Sequence, residues 1–154
     1  MNKKNLIDKK IGLLLWKSSI AWQNSLRKVL VDYSITLNEF IILETLFSNS
    51  DTEINQVEIA KSSGVNISVV STTLDILQKK QLIKKNKNLD NRKKIILLTD
   101  NSYILIKKIL PIVYEIENNF FIKLGNDKIS FENSLKLLLG KKIRIKAEKN
   151  IYEN

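Results

Sequence analysis

Apolar residues recur at helical steps from Leu6 to Tyr33 (Leu6, Ile7, Ile11, Leu14, Leu15, Trp22, Leu26, Val29, Leu30, Tyr33), which predicts a long amphipathic helix. In "TLNEFIILETLF", Thr36 followed three residues later by Glu39 reads as a capping box that starts a second helix. "SNSDTE" is then a polar loop, and "NQVEIAKSSG" opens a third helix with Asn55 as N-cap and Glu58 three residues on. Gly64, able to take positive φ, ends it. The stretch "NISVVSTTLDILQ" is ambiguous by propensity, because Val, Ser and Thr are weak helix formers. Periodicity decides: Ile67, Val70, Leu74 and Leu77 share one helical face, whereas strict alternation fails at Val69–Val70.

Beyond this helix the pattern shortens. Leu82 to Lys87 and Lys93 to Leu98 are short runs of apolar and basic residues around the turn "NLDN", which predicts a β-hairpin with a charged tip. Thr99 caps another helix, with Asp100 in its first turn and Pro111 expected to kink it. Gly125-Asn126-Asp127 breaks the chain before a last helix with a basic end, Ile129 to Lys149. No internal repeat or long linker divides the sequence, so residues 1–154 read as one domain.

Helix, glycine turn, helix and basic hairpin together make a helix-turn-helix with a wing. Ala60 is small where the two helices would cross, Val65 follows the turn at Gly64, and Ile59, Val70 and Leu74 fill the space between them. The expected fold class is mainly α with a small β-hairpin wing, flanked by N- and C-terminal helices. The outer helices, Leu6 to Tyr33 and Ile129 to Lys149, carry more apolar surface than one winged-helix unit would hide, which predicts a homodimer.

Charge narrows the partner. The chain has 26 Lys and Arg against 16 Asp and Glu, a formal net charge of +10. That favours a polyanion: nucleic acid first, an anionic membrane surface second, with a mere aid to solubility as the bland alternative. The basic residues concentrate on the hairpin and not along one amphipathic helix, so no membrane partner is expected. The apolar run Ile11 to Trp16 is too short for a signal peptide and is stopped by Lys17, and no stretch approaches a bilayer span. With no Cys and no His, thiolate sensing, Cys-based zinc sites and the commonest general base are excluded. Glu115 and Glu117 do not share a helix face, and no Gly-rich phosphate loop is present. We therefore expect no enzyme, metal or cofactor, and a cytoplasmic location.

The candidate reading helix is almost uncharged: from Asn66 to Gln78 the sole charge is Asp75. Its outward face carries Ser68, Val69, Thr72 and Ile76, whose hydroxyls and methyls suit base edges and thymine methyl groups. Cations lie beside it: Lys79, Lys80, Lys84, Lys85, Lys87, Arg92, Lys93 and Lys94, against Asp90 alone. The expected contacts with double-stranded DNA are Asn66, Ser68, Val69, Ser71, Thr72 and Thr73 on the helix, and Lys87, Asn88, Asp90, Arg92, Lys93 and Lys94 on the wing. Arg92 suits a narrow A·T-rich minor groove, and Asp90 would hold its guanidinium in place. The cluster Lys141, Lys142, Arg144, Lys146 and Lys149 reads as charge that suits a helix C-terminus more than as a dimer flank, and Lys3, Lys4, Lys9 and Lys10 have no assigned role.

At this point the chain resembles the multiple-antibiotic-resistance regulator (MarR) family of bacterial winged-helix repressors. The most specific stretch is "DNRKKIILLTD", similar to the family's wing in Asp90, Arg92, Leu98 and Thr99. The resemblance implies a homodimer whose first and last helices interlock (6–33 and 99–149), a DNA-binding lobe at 36–98, a recognition helix in the major groove and a wing arginine in the minor groove. It also implies a small aromatic or anionic effector, for which Trp16, Trp22, Tyr33 and Phe40 are the candidate pocket. Two positions depart from the family: Ser102 stands where Gly is frequent, and Thr72 where an Arg is common. The second departure sustains a rival reading, a winged-helix dimer acting through protein–protein contacts or low-specificity DNA binding.

Overall fold

The computed structural model describes residues 10–87 and 94–141. They belong to two compact units, one ending at Glu117 and the other starting at Asn118.

The first unit begins with α1 (Ile11–Leu30), which tightens into a 3₁₀ turn at Val31–Tyr33 and closes at Ser34 with φ 56°. The expected start at Leu6 and Ile7 lies outside the described residues. α2 (Leu37–Ser48) and α3 (Gln56–Ser63) both open with the capping boxes read from the sequence. Thr36 Oγ1 accepts from Glu39 N at 3.2 Å while Thr36 N donates to Glu39 Oε2 at 2.6 Å. Asn55 and Glu58 repeat the arrangement. These reciprocal bonds satisfy the free N–H groups at the helix starts. α3 ends at Gly64, whose φ of 72° is open to glycine at no steric cost.

α4 (Ile67–Lys79) follows, then β1 (Ile83–Lys87) and β2 (Lys94–Leu98). The strands pair antiparallel from Ile83↔Leu98 to Lys87↔Lys94. β2 is also tied to the loop before α3, where Ile96 N donates to Ile54 O at 3.0 Å. Thr99 caps α5 (Asp100–Phe121) by accepting from Ser102 N at 3.3 Å. Pro111 lies within α5 without ending it. Leu26 and Leu30 of α1, Phe40, Ile42, Leu43 and Leu46 of α2, Ile59, Val70, Leu74 and Leu77 of the helical pair, Ile83 and Ile96 of the hairpin, and Ile106 and Ile109 of α5 form one core.

Two positions on α4 correct the periodicity argument. Ile67, expected in the buried stripe, is 44% exposed, while Thr73, expected on the reading face, is only 5% exposed. At about 100° per residue the two lie on opposite flanks of the Val70–Leu74–Leu77 arc. The start of α2 covers the Thr73 flank, so the buried arc is displaced towards it and Ile67 is left uncovered.

In the second unit, the 3₁₀ segment Ile122–Asp127 turns at Gly125 and leads into α6 (Lys128–Leu138). Phe121 stacks edge-on against Phe120 at 5.0 Å and tilts against Phe131 at 6.2 Å. The last helix was expected to run to Lys149 but ends eleven residues earlier. Gly140 takes φ 68° and Lys141 N bonds back to Lys136 O at 2.9 Å, a closure that satisfies the terminal carbonyls. Lys142, Arg144, Lys146 and Lys149 lie outside the described residues. None of α6 is buried, and Ile129, Leu137, Leu138 and Leu139 are exposed.

Candidate nucleic-acid interface

The turn between α3 and α4 is built locally. Gly64 N donates to Ala60 O and Val65 N to Ser63 Oγ, after which Asn66 caps α4 by accepting from Ser68 N at 2.9 Å. The same Asn66 oxygen accepts from Ser68 Oγ at 2.7 Å, which fixes the rotamer of Ser68. Further along, Thr72 Oγ1 donates to Ser68 O at 3.1 Å and Thr73 Oγ1 to Val69 O at 2.7 Å. The hydroxyl protons are thus occupied within the helix, and what Ser68 and Thr72 turn outwards is acceptor lone pairs. Such a face suits exocyclic amines of adenine and cytosine in a major groove.

Ser68, Val69, Thr72 and Ile76 come together as expected. They line one open groove with Thr36 and Asn38 from the start of α2. Those two residues were not among the sequence candidates, although the capping box that places them there was legible. Asn66 is exposed, Ser71 half-buried and Lys94 exposed. Thr73 also borders this groove, but it is buried and its hydroxyl donates to Val69 O. Lys94 lines a second hollow with Asn55, Gln56, Val57, Glu58 and Lys61. Lys87 pairs through its backbone in β1, and its side chain lies outside the described residues. So do Asn88, Asp90, Arg92 and Lys93.

The flanking cations divide into two kinds. Lys79 and Lys84 are exposed. Lys80 instead reaches back to the junction before α2: its Nζ lies 2.7 Å from Glu39 Oε1 and donates to Ser34 O at 2.8 Å. Lys85 on β1 donates to Asp75 Oδ1 at 2.5 Å. That bond, with the charge of Lys85 and those of Lys79 and Lys94, holds the Asp75 carboxyl below its ordinary range against a small opposing effect of burial. The one carboxylate of the reading helix therefore stays ionised and paired.

Three of the four expected effector residues lie in the core or against it. Phe40 is a core residue, and Trp22 and Tyr33 pack against the same core. Trp16 is 65% exposed on the N-terminal half of α1. Plain packing accounts for the first three, because large aromatics at helical spacing fill volume between helices. Trp22 Nε1 is buried without a hydrogen-bond partner among the described residues. Among the described residues no group of three or more acidic side chains is placed to hold a metal ion, and no helix is long and apolar enough to cross a membrane.

Comparison with known proteins bears on this geometry. The family model described as MarR family matches residues 35–95, from α2 through the α3–α4 pair to the start of β2. A Bacillus subtilis protein described as an uncharacterized HTH-type transcriptional regulator, YdcH, is 31% identical over 114 residues, covering 71% of this chain and 77% of that one. A mutant of Escherichia coli MarR, solved with operator DNA, superposes with a TM-score of 0.78 at 21% identity, over 90% of this chain and 99% of that one. Bordetella bronchiseptica BpsR, whose DNA binding is regulated by 6-hydroxynicotinic acid, superposes with a TM-score of 0.77 at 17% identity, over 88% and 96%.

Proposed function

Since the chain belongs to the MarR family of DNA-binding transcription regulators, we propose that it acts as a dimeric repressor in the cytoplasm, reading a two-fold symmetric operator. The observation that carries this is the single groove formed by Ser68, Val69, Thr72 and Ile76, flanked by exposed cations. α4 lies in the major groove, with Asn66 and Ser71 at its margins. Lys79, Lys84, Lys87, Lys93 and Lys94 contact phosphates, and Asn88 and Arg92 of the wing reach the adjacent minor groove, with Asp90 orienting the arginine. Phosphate contacts position the protein, and the helix contributes hydroxyl and methyl contacts without a bidentate Arg–guanine pair, which would add about 1–3 kcal/mol of discrimination at one base pair.

The exposed apolar residues Ile11, Leu14 and Leu15 of α1, and Leu137 to Leu139 at the end of α6, support a dimer in which a second copy covers them. A two-fold axis would set the reading helices roughly 34–36 Å apart, one turn of duplex. BpsR and its 6-hydroxynicotinic acid support release by a small aromatic acid. Trp22, with its buried indole N–H lacking an acceptor among the described residues, is the residue we would place nearest that ligand. Tyr33, Phe40 and Trp16 are secondary.

Selection of bound duplexes from a random library tests the proposal: a palindromic consensus is expected, and enrichment without symmetry or without any consensus would refute it. The absence of Lys and Arg on the groove-lining face of α4 favours one second reading, low-specificity binding carried by phosphates alone. In that case operator and scrambled duplexes would bind within a fewfold of one another at every salt concentration.

A further inference from the structure

A bare carboxylate on a helix that enters the major groove would face phosphates on both sides. Asp75 stands on α4 one residue before Ile76 of the groove, on the flank turned towards the wing. It is not bare. Lys85 approaches it from β1, with the ammonium side only 21% exposed and the carboxylate 63% exposed. Lys79, one turn along α4, and Lys94, on β2, add their charge to the same place. The two residues are ten positions apart, and among the described residues theirs is the ion pair that links reading helix and wing.

From this geometry we infer that Lys85 is not a phosphate contact but a positioning residue, which masks the reading helix's one carboxylate and ties the wing strand to it. The inference rests on α4 being the helix that meets DNA. It separates Lys85 from its neighbour Lys84 on the same strand, which is exposed and, although it shares a hollow with Asp100, forms no ion pair among the described residues. Lys85 contributes by cancelling a repulsion, so its effect depends on Asp75. Lys84 contributes by attracting phosphates, so its effect does not.

The test is a set of titrations with operator and scrambled duplexes at several salt concentrations, on wild type, Lys85→Met, Asp75→Asn, the double variant, Lys84→Met and Lys85→Arg. Lys85→Met should weaken binding to both duplexes by about tenfold, because it leaves Asp75 facing the phosphates unshielded. Asp75→Asn should bind more tightly than wild type, with a salt slope steeper by about one, since it frees Lys85 to meet a phosphate. The double variant should return to within a fewfold of wild type, and Lys85→Arg should keep wild-type affinity. Lys84→Met should lower the slope by about one, and adding Asp75→Asn to it should leave that loss unchanged. The pair is on the surface, so thermal melting should show all variants folded. Persistence of the Lys85→Met defect in the double variant, or an unchanged slope in Asp75→Asn, would overturn the inference while leaving DNA binding intact. A wild-type protein that bound no duplex would instead overturn the functional proposal on which it rests.

Discussion

Glu39 shows how much one residue can couple. It is 1% exposed, and each carboxylate oxygen has its own task. Oε2 closes the capping box on Thr36 N at 2.6 Å, and Oε1 faces Lys80 Nζ at 2.7 Å. Lys80 in turn satisfies the carbonyl of Ser34, a residue in the left-handed region. The end of the reading helix is thereby fastened to the junction between α1 and α2. Lys80→Met should cost about 2 kcal/mol, because it strands a buried carboxylate oxygen. Glu39→Gln should cost less, since a glutamine oxygen still accepts from Thr36 N. Urea midpoints of the two variants would check the order. Equal losses would mean that the ion pair, absent from both variants, and not the stranded carboxylate charge, sets the cost.

At the scale of elements, the motif depends on two asparagine caps that look alike and differ in use. The side chain of Asn55 caps α3, whereas that of Asn66 caps α4 and also fixes the hydroxyl of Ser68. Asn55→Ala and Asn66→Ala should each lower stability by about 1 kcal/mol. Asn66→Ala alone should also reduce the preference for operator over scrambled DNA, measured by competition in gel-shift titrations. The wing separates in a similar way. Arg92→Ala should weaken binding most for operators with A·T-rich flanks, as expected of a minor-groove guanidinium. Lys94→Ala should weaken all duplexes alike and reduce the salt slope by about one. An Arg92→Ala protein that bound every duplex as wild type does would exclude the wing from the minor groove.

For the molecule as a whole, the apolar residues left uncovered on α1 and α6 call for a second copy. Light scattering at micromolar concentration should report a dimer. Leu15→Glu, which puts a charge on the exposed apolar face of α1, should shift it towards monomer and lower operator affinity by at least tenfold, because two half-sites are then no longer held together. A monodisperse wild-type monomer would remove the geometric basis for a palindromic operator. The net charge of +10 belongs to this scale too. It steers the protein to DNA in general, and affinity should fall steeply with added salt.

What the sequence determined by itself is what neighbours within one turn decide. The boxes at Thr36/Glu39 and Asn55/Glu58 and the glycine closure at Gly64 follow from contacts a few residues apart, and the hairpin from Ile83 to Leu98 from the pairing of two strands adjacent in sequence. The wing residues Asp90 and Arg92, with Leu98 and Thr99, were enough to suggest the family. Even the early end of α6 is legible in Gly140, a residue suited to the positive φ that closes a helix. Tertiary structure decided which flank of α4 is covered. Hydrophobic spacing defines an arc but not where the next helix rests on it, so Thr73 turned in and Ile67 out. It also decided which lysines are free. Lys80 and Lys85 count as basic in any tally, yet their partners, Glu39 with the Ser34 carbonyl and Asp75, are set by packing between elements. Charge is additive along a chain, but ion pairing depends on a few ångströms in space, and that distance exists only once the helices and the hairpin have docked.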